Sequence, residues 1–170
     1  MMYQTLRTLL LPLFLCLAAT AQASDLAQPE GAVILTISGA ISNSNSDMGA
    51  QFDLAMLDAL EQRETVTETP WHDGAQRFSG PILNALLTLV GAQGQTLRIV
   101  ALNDYSAEMP ISDTMEIPVI LASRRDDVLM PVRDKGPLFV MYPFSEMAEL
   151  NNEVYFSRSV WQVKAIEVLN

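Results

Sequence analysis

Hydrophobic positions fall in short runs separated by polar turns, and the period within each run predicts its structure. Residues 31–39 (GAVILTISG) form a β-branched run between two glycines and predict a first strand. A polar loop with Asn43, Asn45 and Ser46 follows. Phe52, Ala55, Met56, Ala59 and Leu60 then recur at helical spacing, predicting a helix over about residues 48–62. Residues 64–69 alternate Thr and Val up to Pro70 and read as a second strand. In residues 81–90 (PILNALLTLV), Pro81 sits where a first helical residue belongs and Gly91 lies just past the end, predicting a short helix. Residues 97–102, 118–122, 138–142 and 160–168 read as further strands. The last alternates through Trp161, Val163 and Ala165, with a shift near its end. Many short strands with few helices, not in strict alternation, predict an α+β, mostly β domain.

The N-terminal residues break this pattern. Arg7 supplies a positive start, residues 9–19 an apolar core, and Ala21-Gln22-Ala23 a small-x-small cleavage site, so residues 1–23 read as a secretory leader. Pro12 interrupts the apolar run, which falls short of the roughly 20 residues a spanning helix needs. Leu15 precedes Cys16 where a lipoprotein leader carries a small residue, which argues against an acyl anchor. The mature chain, residues 24–170, is then expected to be a single exported domain, and it contains no cysteine.

Charge narrows the partners. With 10 Lys+Arg against 20 Asp+Glu, the chain carries a formal charge of -10 and lacks the basic clusters on which nucleic-acid binding is built. No Gly-rich loop follows a strand, which excludes the common nucleotide folds. His72 is the sole histidine, so a multi-histidine metal site is excluded, and no Gly-x-Ser-x-Gly elbow supports a triad built on it.

Three polar constellations remain. Trp71-His72-Asp73-Gly74 with Arg77-Phe78-Ser79-Gly80 joins flat aromatic faces to glycines, a pattern that suits stacking a heteroaromatic ring but fits a loop with two core anchors better. Asn103, Asp104, Tyr105 and Asp113 follow an apolar strand. A carboxylate there suits the paired N–H donors of an amino-pyrimidine edge, while turn chemistry accounts for the same residues. Arg133 and Lys135 offer cations to an anionic ligand tail, although solvated ion pairs with the neighbouring Asp residues explain most of the pattern.

In order and spacing these segments resemble the molybdopterin-binding domain of the sulfite oxidase fold. The resemblance runs over residues 66–168. It is carried by Trp71 with residues 78–87 (FSGPILNALL), residues 101–106 (ALNDYS) with residues 109–113 (MPISD), residues 119–123 (VILAS) with Leu129, residues 135–143 (KGPLFVMYP), and residues 160–168 (VWQVKAIEV). It implies a mostly β fold with a few short helices. Catalytic members hold molybdenum through a pterin dithiolene and one cysteine thiolate, and the corresponding stretch here, residues 66–71 (VTETPW), has no cysteine. The chain thus looks like the small periplasmic pterin-binding regulators of this fold (PruR-like). These bind a reduced monomeric pterin, without molybdenum, and report it to the periplasmic domain of a membrane-bound cyclic-di-GMP signalling partner.

By that resemblance Asp104 and Asp113 fork to the amino-pyrimidine edge, and Trp71, Phe78 and Tyr105 line the ring. Asn103, Lys135 and Tyr142 serve the remaining polar edge or side chain. A molybdopterin oxidoreductase or its accessory subunit, and an assembly factor with an empty cleft, are the alternatives left open.

Overall fold

A computed structural model describes residues 26–170; the leader expected over residues 1–23 lies outside them. No helix among the described residues is long and apolar enough to cross a membrane.

The architecture is three sheets with short helices at their edges. The largest sheet has the order β2-β1-β11-β5-β6, built from β1 (Leu35–Gly39), β2 (Ala50–Phe52), β5 (Thr96–Ala101), β6 (Ser106–Pro110) and β11 (Val163–Leu169). Its centre pairs the first strand with the last in parallel, Thr36 opposite Ala165, while the other neighbours run antiparallel. A second sheet, β3-β4-β8-β9, is a long hairpin of β3 (Gln62–Thr69) and β4 (His72–Pro81) extended by β8 (Arg124–Arg125) and β9 (Val128–Leu129). Between them, β7 (Ile120–Ala122) and β10 (Phe139–Met141) form a two-stranded ribbon buried along its whole length. Continuous burial is what their unbroken apolar runs demand, since no face is left for water.

The strands expected at residues 97–102, 118–122 and 138–142 correspond to β5, β7 and β10. β5 places Leu97, Ile99 and Ala101 on the core face, as its alternation requires. The expectation for residues 48–62 is corrected. Residues 50–52 belong to β2, and the helix is the single turn α1 (Leu54–Asp58), because buried Asp53 accepts from Met56 N at 2.9 Å and starts it there. The other Asp53 oxygen accepts from Glu30 N and Gly31 N, and these backbone donors hold its pKa below the ordinary carboxylate value.

The second helix, α2 (Leu83–Leu89), starts two residues later than Pro81 suggests, because Pro81 closes β4. Leu83, Leu86 and Leu87 face the core, and Gly91 stops the helix with φ +61°. The register shift in the last strand lies between Val163 and Ala165, near its start rather than its end. β3 inverts the usual pattern. Its inward residues are Thr65, Thr67 and Thr69 while Val66 faces out, because Thr67 Oγ1 is needed to accept from Ser145 N at 3.0 Å.

β4 has no counterpart among the expected elements; its glycines and polar residues read as a loop. Gly80 explains one of those glycines. A Cβ there would lie 2.2 Å from the Leu121 carbonyl oxygen, so only a bare backbone lets β4 run against β7. Phe78, two residues earlier, is fully buried and meets Phe139 edge-on at 6.0 Å. Phe78→Ala is expected to lower the unfolding free energy by about 3–5 kcal/mol in urea denaturation. A cost below about 1 kcal/mol would show that the β4–β7 crossing is not part of the core.

Candidate functional site

Trp71 sits in the β3–β4 turn, carried to the surface by Pro70, which ends the first strand of the hairpin. Its ring lies 5.8 Å from Trp161 and 5.9 Å from Phe156, both nearly perpendicular, and 5.5 Å from buried Phe139. The rings of Trp71, Trp161 and Phe156 wall a cleft of about 410 Å³ lined also by Ala101, Asn103, Tyr105, Glu153, Ser157, Ser159 and Val160. That is the size of a small-molecule site. Four parts of the chain converge on it: the β3–β4 turn, the β5–β6 turn, α4 (Glu153–Arg158) and the segment leading into β11.

The β5–β6 turn is a polar device with a local cause. Asn103 Oδ1 accepts from Tyr105 N at 3.1 Å, and Asp104 takes a left-handed φ of 65°, a conformation that Asp and Asn tolerate best among side-chain-bearing residues. The turn brings Asn103 and Tyr105 to the cleft. Asp104 points elsewhere: its carboxylate pairs with Lys164 Nζ at 2.6 Å, and that bond holds its pKa below the ordinary value.

The opposite wall is α4. Asn152 caps its start by accepting from Val154 N, and Arg158 at its end donates to Asp113 Oδ2 at 2.9 Å. Asp113 also accepts from the Tyr142 hydroxyl at 2.7 Å. Burial, reinforced by this carboxylate, drives the Tyr142 pKa far up, so the phenol remains a donor. Glu153, on the cleft side of α4, has no hydrogen bond or ion pair among the described residues.

The sequence-predicted residues therefore separate. Trp71, Asn103 and Tyr105 line the cleft together. Phe78 is core, Asp113 and Tyr142 form a buried polar tie, and Asp104 is a solvent-facing ion pair; none lines the cleft. Lys135 stands beside it, its ammonium 5.7 Å from the Trp161 ring centroid. Sequence reasoning passed over Glu153, Phe156, Ser157 and Ser159, and treated Trp161 as part of a strand alternation. The local signal was present in the capping Asn152 and the acid one residue later, but nothing in the sequence ties that turn to Trp71.

His72 follows Trp71 directly. Its Nδ1 lies 2.9 Å from Thr69 Oγ1, its ring packs on Phe78, and its Nε2 is buried without a partner. Burial first, then the cations of Arg125 and Lys135, hold its pKa below 6.5. The turn offers a hydroxyl already engaged with an imidazole, and the sole cysteine of the chain is Cys16. This donor set does not fit a thiolate-held molybdenum centre, which requires a soft sulfur ligand. Among the described residues, no group of three or more His, Cys, Asp or Glu is placed to hold a metal ion.

No family model and no curated protein matches the chain. Among solved structures, the sulfane dehydrogenase SoxCD from Paracoccus pantotrophus is similar over 79% of this chain with a TM-score of 0.57 at 14% identity. The chain spans 37% of the length of that protein. The likeness establishes the fold, the mostly β sulfite oxidase fold with a few short helices.

The lowered His72 pKa has a definite sign. Its stabilising contribution is complete above the ordinary imidazole value and is lost as pH falls through the lowered one, because the unfolded chain takes up a proton that the folded chain resists. The thermal midpoint of His72→Gln is expected to fall less than that of the parent between about pH 7 and about pH 5. An equal fall would contradict this placement of His72.

Proposed function

We propose that this sulfite oxidase-fold domain is an exported, non-catalytic pterin-binding protein. It reports a reduced monomeric pterin to the periplasmic domain of a membrane-bound cyclic-di-GMP signalling partner. The observation that carries the reading is the cleft between Trp71, Trp161 and Phe156, whose flat rings stand around a space of the right size with polar groups at its rim. A bicyclic heteroaromatic ring gains dispersion and stacking against such walls, while Asn103, Ser157 and Glu153 offer hydrogen bonds to its edge. The absence of cysteine from residues 24–170 supports binding without molybdenum chemistry, and the leader-like N-terminus supports export.

A sensor transmits information only if its receptor has different affinities for the filled and empty forms. Tyr105 and Trp161, 53% and 38% exposed, lie both in the cleft and on the outer surface, so a bound ring alters the face a receptor would meet.

The protein is expected to bind tetrahydrobiopterin saturably under anaerobic conditions, with quenching of its tryptophan fluorescence. Trp161→Ala is expected to weaken binding about 10- to 100-fold, the cost of losing one stacking face. Glu149→Gln, on the surface outside the cleft, should bind as the parent does. Unchanged affinity in Trp161→Ala would place the ligand elsewhere.

A further inference from the structure

The two carboxylates that the sequence offered for a ligand are committed to other partners. Asp104 is held by Lys164 at 2.6 Å, and Asp113 by Arg158 and the Tyr142 hydroxyl. Glu153 lines the cleft, is exposed, and has no hydrogen-bond or ion-pair partner among the described residues. It stands with Trp71, Trp161 and Phe156, whose faces occupy the apolar surface of a ligand and leave its edge to the polar groups.

We propose that Glu153 selects the hydrogen-bonding edge of the ligand, so that the cleft takes rings presenting an amino group beside a ring N–H and rejects dioxo rings of the same shape. The inference rests on the reading of this cleft as a pterin site. An ionised carboxylate is an acceptor at both oxygens, and the amino-pyrimidine edge of a pterin presents two parallel N–H donors to it. A lumazine has the same bicyclic outline with a carbonyl in place of the amino group. Set in the same orientation, it places an oxygen against a carboxylate oxygen, a repulsive contact that leaves one acceptor without a donor.

The complementary variant is Glu153→Gln. Its amide presents one acceptor and one donor, the pattern that suits an N–H beside a carbonyl. Because the Glu153 side chain makes no hydrogen bond or ion pair among the described residues, the substitution removes neither from the fold, and at this first-turn position of α4 it gives up only a charge near the helix start.

The test is anaerobic titration of the parent, Glu153→Gln and Glu149→Gln with methyl-substituted tetrahydropterin and with tetrahydrolumazine carrying the same methyl group. It is followed by tryptophan quenching at a pH where both rings are neutral. The parent and Glu149→Gln are expected to prefer the pterin by about tenfold or more, and Glu153→Gln to lose or reverse that preference. Pterin binding with the same preference in Glu153→Gln would overturn the role of Glu153 while leaving the cleft a pterin site. Equal affinity of the parent for both rings would overturn the selection itself. If the parent binds neither ring, the pterin reading fails, and the selection by Glu153 fails with it.

Discussion

Phe139 is the interaction on which both core and cleft depend. It lies opposite Ala122 in the β7–β10 ribbon, bridges to Trp161 through the backbone, and is fully buried. Its ring meets Phe78 at 6.0 Å, Trp71 at 5.5 Å and Trp161 at 6.1 Å. Each such aromatic pair is worth about 0.5–1.5 kcal/mol beyond the area it buries. The consequence for function is greater than that sum. The tryptophans that face the cleft rest on a close-packed floor, so their orientation is set before a ligand arrives and less freedom is lost on binding.

The other wall depends on a charge. No residue of α4 is fully buried, so the hydrophobic effect holds it only through the half-buried rings of Tyr155 and Phe156. Its position is fixed at one end by the Asn152 cap and at the other by Arg158 on Asp113. Asp113 is 8% exposed and also holds the Tyr142 hydroxyl, so removing its carboxylate would strand a cation and a phenol together. Asp113, one of the two carboxylates that the resemblance put forward for the ligand, is tied to the end of the helix that carries Glu153.

The fold was legible where local pattern and burial agree. The apolar runs of β5, β7 and β10 are short and bounded, and nothing competes with a strand there. The helix expected over residues 48–62 was overextended because Phe52 shares its spacing while belonging to β2, and only the Asp53 cap marks the boundary. β4 was illegible because its outward face is polar and Gly80, which reads as a turn residue, serves close approach to β7. Trp71, Asn103 and Tyr105, picked out by residue type, are brought to one cleft by the fold, although a core anchor and turn chemistry account for the same residues in the sequence. Asp113 and Tyr142 lie buried and bonded to each other outside the cleft lining, and burial is a tertiary property that spacing does not encode. Glu153 was missed because Trp71, Asn103 and Tyr105, which share its cleft, come from distant parts of the chain.

Mass spectrometry with metal analysis of whatever denaturation releases from the protein tests the central claim most directly. The full 170-residue chain would be produced in a host that makes molybdenum cofactor, and purified without oxygen. A stoichiometric reduced monomeric pterin free of molybdenum is the expected result. A metal-bearing molybdopterin, or no pterin at all, would contradict it.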